Sequence, residues 1–195
     1  MGVRPPRLNR GVRRLGAGGV RVALMTASSS NDRAVLLEAG HWFIRAAAKL
    51  PGVRRIGLIG SILTGKRHPK DIDFVVQVLD DLDLASLASL GRRLKGRLLS
   101  AGSGADVFLV NERGSYIGRT CRWVRCRPGV RASCPALHCG RRPHVCDDFT
   151  VVRLHDAVVS EPPVQVWPAV VRHVPVPPDV EQMLGDLAVS NREDR

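Results

Sequence analysis

The sequence predicts an α/β fold: a mixed β-sheet with helices packed on it, plus a cysteine-rich, loop-dominated insert or C-terminal lobe. Three observations predict it. Apolar, β-branched runs at 56–59, 72–78 and 107–110 have the length and composition of strands buried on both faces. Segments 28–50 and 84–98 repeat their apolar residues at helical spacing. The two kinds alternate as helix, strand, turn, strand, helix, strand, the order expected of helices laid on a mixed sheet. Hydrophobic residues make up 44% of the 195-residue chain, enough for one core. Aromatics are only 4%, so that core falls to Leu, Val, Ile and Ala.

Residues 1–27 read as a disordered basic arm, with Arg4, Arg7, Arg10, Arg13, Arg14 and Arg21 and no acid before Met25. Arg21 interrupts the only apolar stretch, which excludes a secretory signal; the composition also suits a mitochondrial presequence, and Met25 is an alternative start. The predicted first helix carries Val35, Leu36, Phe43, Ala46, Ala47 and Leu50 on one face and stops at Pro51-Gly52. A strand at Ile56–Ile59 ends on Gly60-Ser61, and a second runs from Asp71 to Val78. Asp80, Asp81 and Asp83 cap a helix with Leu84, Leu87, Leu90, Leu94 and Leu98 as its apolar stripe. Gly102–Gly104 ends that helix and leads into the strand Gly104–Val110.

Beyond this core, at 28–113, lie a cysteine-rich lobe at 114–147 and a C-terminal extension at 148–195. In the extension, Phe149, Val151, Val152, Leu154 and Val158 alternate as a strand that returns to the sheet or covers its edge. Pro162–Pro178 reads as an extended surface segment and Asp179–Leu187 as a short terminal helix.

The chemistry concentrates between Gly60 and Asp106. Asp71 and Asp73 lie one residue apart in a strand, so both carboxylates point to one face while Ile72 points to the other. Two like charges at a buried strand end are costly unless a cation neutralises them, and oxygen donors favour magnesium. The competing reading is a pair that merely caps an exposed strand end. Gly60-Ser61 just upstream lets backbone amides approach an anion, Ser61 adds a hydroxyl, and a following helical turn would favour phosphate further. Lys66 and its basic neighbours Arg54, Arg55, Arg67 and Lys70 flank this turn as phosphate counter-ions or as solvated loop charges. A third acid, Asp106, opens the next strand; if that strand lies beside 71–78, three carboxylates surround a site suited to two-metal phosphoryl or nucleotidyl transfer.

Ile59-Gly60-Ser61, then Asp71-Ile72-Asp73, then a later strand carrying Asp106, resembles the DNA polymerase β-type nucleotidyltransferase superfamily. Within it the pattern is most similar to the small, minimal nucleotidyltransferase domains of prokaryotes, over roughly residues 31–110. The resemblance implies a nucleotidyltransferase-like mixed sheet and Mg2+-dependent transfer of an NMP from an NTP, ATP in the first instance, with release of pyrophosphate. It assigns Gly60 and Ser61 to the nucleotide, Asp71 and Asp73 to the metals, and Asp106 to the acceptor-side metal and to deprotonation of the attacking hydroxyl; Lys66, from the basic flank of the turn, is placed with the nucleotide as a phosphate counter-ion. The acceptor, a hydroxyl on a protein, a small molecule or RNA, stays open. A Walker P-loop is the rival for Gly60–Arg67, but Arg67 replaces the metal-binding hydroxyl and Pro69 interrupts where a long helix should follow.

Cys121, Cys126, Cys134, Cys139 and Cys146 fall in one basic, turn-rich segment with His138 and His144. Without a secretory signal, zinc is the expected occupant, with Cys121, Cys126, Cys134 and Cys139 as ligands and Cys146, His138 or His144 as replacements. The C-x4-C spacings also leave thiols in a variable insert or a redox-sensitive pair as readings. The net charge of +12 points to a polyanionic partner, nucleotide or nucleic acid, although an Arg-rich composition alone would produce it. No apolar run is long enough for a membrane span, and a cytoplasmic location is expected. Two other function classes remain open: an antitoxin-like nucleotide-binding partner of a toxin-antitoxin pair, and a zinc-stabilised nucleic-acid-binding module without catalysis.

Overall fold

The computed structural model describes residues 28–125 and 134–193. The expected basic arm and Cys126 lie outside the described residues. Helix α1 (Ser28–Ala48) leads through the Pro51-Gly52 turn into β1 (Val53–Ile59), then a 3-10 turn (Ser61–Leu63) and β2 (Asp71–Val78). Helix α2 (Ala85–Leu99) and strand β3 (Gly104–Val110) follow. The chain continues through β4 (Tyr116–Thr120), β5 (Val145–Cys146), α3 (Asp156–Ser160), β6 (Val164–Trp167), β7 (Val171–Arg172) and α4 (Pro178–Glu193). The strands form one seven-stranded sheet in the order β5-β4-β3-β2-β1-β6-β7. β2 and β3 are parallel, with α2 as their crossover, and every other neighbouring pair is antiparallel. This is a mixed α/β sheet with helices on it, as the alternation of strand and helix patterns predicts.

The period of two in β2 divides the molecule. Ile72, Phe74, Val76 and Val78 point into the main core with Leu36, Phe43 and Ile44 of α1, Leu87, Leu94 and Leu98 of α2, and Val180, Leu184 and Leu187 of α4. Phe43 and Phe74 pack with ring centroids 4.8 Å apart. Val75 faces the other way, into a smaller cluster with Ile59, Phe108, Val110 and Val159. Asp71 and Asp73 share that second face, beyond the end of its apolar cover.

The expectations beyond residue 113 change in four places. The alternating stretch 149–158 does not form a strand; it turns and enters α3, and Val152, Leu154 and Val158 cover the second face of the sheet rather than its edge. The proline-rich segment contributes β6 and β7, with β6 paired to β1 and Val164 and Val166 fully buried. Its prolines flank the paired residues, so no ladder hydrogen bond is lost to them. The segment 114–147 begins and ends in the sheet, as β4 and β5. The terminal helix is longer than predicted and packs on α1 and the core. Among the described residues, no helix is long and apolar enough to cross a membrane.

Candidate active site

The site lies where β1 ends and where β2 and β3 begin. Antiparallel pairing sets Ile59 opposite Asp73, and the parallel register sets Asp73 opposite Asp106. The chain leaves β1 through Gly60, whose φ of +85° is a left-handed conformation that favours glycine. A Cβ at this position would stand 3.0 Å from Asp73 Oδ2, so the glycine turn and the carboxylate are in direct apposition. The expected helical turn follows: Ser61–Leu63 is one 3-10 turn, closed by the Leu63 amide donating to Gly60 O (3.2 Å) and the Thr64 amide to Ser61 O (3.1 Å). Ile62 and Leu63 are buried beneath it, which holds the turn against the core.

Asp71 is exposed and Asp73 half-buried, on the same face. The Asp106 amide donates to Asp73 Oδ1 at 3.2 Å. Burial pushes the Asp73 carboxyl up to about 6; Asp106 and Asp71 push the same way, against the Asp106 amide and Arg119. The site thus disfavours its own negative charge. Gly104 lies beside Asp71 across the parallel pair, where a side chain would collide with Asp71 Oδ1. The sequence offered Gly104 as a helix stop and strand start, and its role in making room for Asp71 depends on a strand register that no local pattern reveals.

Asp106 is held by a second set of partners. Arg119 on β4 donates Nη1 to Asp106 Oδ2 at 2.9 Å and Nε to Asp148 Oδ2 at 2.6 Å. Asp148 is fully buried and also accepts from the Tyr116 hydroxyl at 2.8 Å. Burial opposes the Arg119 charge, but Asp106 and Asp148 outweigh it and raise its pKa. Burial and the Asp148 contact raise the Tyr116 phenol as well. Lys95 Nζ stands 3.9 Å from the other oxygen of Asp106. The sequence reading missed Arg119, Tyr116 and Asp148, because their partners are 13 to 32 residues distant in the chain.

Arg33 is the other residue missed. From α1 it donates Nη2 to Ile62 O and Nη1 to Lys66 O, each at 3.0 Å, and its Nε pairs with Asp179 Oδ2 of α4 at 2.6 Å. It therefore ties the loop after Gly60 to two helices. Lys66 is exposed on this loop, held through its backbone. His155, next to Asp156, is the N-cap of α3, accepting from the Ala157 amide at 3.2 Å.

The cysteines divide. Cys121, Cys134 and Cys146 line one cavity together with Asp106 and Arg119. Cys139 is not among its lining residues, and Cys126 lies outside the described residues. Burial pushes the Cys146 thiol up to about 12, and the neighbouring Cys134 pushes the same way. Among the described residues, no group of three or more His, Cys, Asp or Glu side chains is arranged to hold a metal ion as it stands. Asp106 Oδ2 is engaged by Arg119. Asp71 and Asp73 remain a pair of hard oxygen donors on one face, the donor chemistry that magnesium prefers.

Comparison with protein-family models, curated proteins and solved structures found no match to the chain.

Proposed function

We propose that this protein is a metal-dependent nucleotidyltransferase of the polymerase β type, moving an NMP from an NTP to a hydroxyl acceptor. The observation that carries the reading is the apposition of Gly60 to Asp73, with Asp71 on the same strand face and Asp106 opposite in register. Phosphate-binding backbone and paired carboxylates thereby meet at one sheet end.

In this reading the Gly60-Ser61 turn binds the triphosphate through backbone amides and the Ser61 hydroxyl. Lys66 supplies a cation from the loop that Arg33 holds in place. Asp71 and Asp73 would hold magnesium; their fit rests on two hard oxygen donors on one strand face against the Gly60 turn, and a cation there would offset the burial that raises the Asp73 pKa. When bound, magnesium neutralises phosphate charge and stabilises the attacking and leaving oxygens. Asp106 takes the proton of the acceptor hydroxyl. The acceptor oxygen forms a bond to the α-phosphorus, the bond from that phosphorus to the α–β bridging oxygen breaks, and pyrophosphate leaves. Arg119 keeps Asp106 at the edge of the site and must share it with any cation that Asp106 joins in holding.

The test is Mg2+-dependent transfer from each α-labelled NTP, with host lysate as the acceptor source, beside the Asp71→Ala/Asp73→Ala variant. Labelled product with the wild type alone supports the proposal. Equal labelling by both proteins, or none with undiminished nucleotide binding by the variant, overturns it.

A further inference from the structure

The cavity lined by Lys95, Asp106, Arg119, Cys121, Cys134 and Cys146 places three of the chain's five cysteines around one space. Cys146 closes β5, opposite Arg119 in the ladder, and is buried; Cys121 is buried as well, its amide donating to His144 O at 2.7 Å. Cys134 is half-buried, at the more accessible side. The Cys134 and Cys146 side chains line this one space, and Cys134 lies near enough to raise the Cys146 pKa. Two thiols that line one small cavity need only a modest approach to form a sulfur–sulfur bond. Both are thiols in the structure, as are Cys121 and Cys139.

We propose that Cys134 and Cys146 form a dithiol–disulfide exchange site whose co-substrate is a small anionic disulfide of the glutathione type. Cys134, the more exposed, attacks one sulfur of the small disulfide; that S–S bond breaks, one thiol leaves, and a mixed disulfide forms on Cys134. Cys146 then attacks the Cys134 sulfur as its proton passes to the departing glutathione sulfur, and the second thiol leaves. The balance is two protein thiols plus one small disulfide, giving one protein disulfide plus two small thiols. Lys95, Arg119 and Arg122 line the cavity with the carboxylate Asp106, and the buried Asp148 pairs with Arg119 behind it; three cations against two anions leave a balance that attracts an anionic oxidant. The closed bond pins the segment at residue 134 to β5, the strand next to the one that carries Arg119.

The experiment treats the full-length native protein with glutathione disulfide, alkylates the remaining thiols and maps the products by mass spectrometry. Cys134 and Cys139 share a tryptic peptide, so fragmentation must separate them. The expected product is a Cys134–Cys146 crosslink that dithiothreitol reverses. The Cys146→Ser variant should stop at a Cys134–glutathione mixed disulfide, and Cys134→Ser should slow glutathione incorporation at Cys146 at least tenfold. Complete alkylation of both thiols in the treated wild type overturns the proposal. So does a dominant crosslink to Cys121, Cys126 or Cys139, or thiol protection that tracks bound zinc and is lost to a chelator. The wild-type map needs no variant to fold, and none of these readouts depends on nucleotide transfer.

Discussion

Replacing Asp73 by Asn should stabilise the protein at neutral and alkaline pH when divalent ions are absent. In the folded chain, burial and then the neighbouring acids lift the Asp73 carboxyl from an ordinary 3.8 to about 6. Between those two values the folded state binds more protons than the unfolded chain, so stability falls as pH rises through the window. The deficit is complete above about pH 6 and absent below the unfolded value. At 1.36 kcal/mol for each tenfold change in proton affinity, it amounts to about 3 kcal/mol. Asn is nearly isosteric and keeps an oxygen to accept from the Asp106 amide, so Asp73→Asn should recover up to about 3 kcal/mol at pH 8. For a chain of this size that corresponds to a rise in Tm of about 6–12 °C. Urea unfolding with a chelator at pH 4 and pH 8 measures it. The variant should gain at pH 8, and the gain should shrink to less than about 1 kcal/mol at pH 4. Millimolar magnesium should then stabilise the wild type and not the variant, since ligation stabilises only the form that binds. A variant equal to or less stable than the wild type at pH 8, or a gain that is the same at both pH values, would refute the reasoning.

Gly60→Ala forces a Cβ into a φ of +85° and to 3.0 Å from Asp73 Oδ2; a loss of about 1–3 kcal/mol in thermal stability and loss of nucleotide transfer should accompany an unchanged far-UV spectrum. Arg33→Met removes the ties to Ile62 O, Lys66 O and Asp179, and should cost about 2 kcal/mol in denaturant unfolding while raising the KM for NTP more than it lowers kcat. Asp148→Ala strands Arg119 and Tyr116 beside a fully buried position, and should destabilise the fold by about 3–5 kcal/mol by the same assay.

Much of the central sheet was legible because local pattern and tertiary role agree there. The run Asp71–Val78 reads as a buried strand and is one, and α2 buries the leucine stripe at Leu87, Leu94 and Leu98 that its spacing suggests. The convergence of Gly60, Asp71, Asp73 and Asp106 required only that two strands lie side by side. Legibility failed where pairing replaced pattern. Val164 and Val166 sit among prolines, and only their position along β1 makes them a sheet strand. The alternation at 149–158 has the period of a strand, but Asp148 is committed to Arg119 and Tyr116, and the chain turns there instead. Cysteine spacing pointed to Cys139 beside Cys134, and it gave no sign that the chain's return through β5 brings Cys146 into a cavity with Cys134. Arg33 and Arg119 were two arginines among many in an Arg-rich chain, and nothing local distinguishes them from solvated charge.

The most direct test of the central claim is the fate of each phosphate. The protein would be incubated with magnesium and one NTP labelled at the α- or the γ-phosphate, with the acceptor fraction identified in the transfer assay. Nucleotidyl transfer predicts that α-label passes to the acceptor and that γ-label is released as pyrophosphate, both abolished in Asp71→Ala/Asp73→Ala. Transfer of γ-label to the acceptor, or release of γ-label as inorganic phosphate without α-transfer, would contradict it.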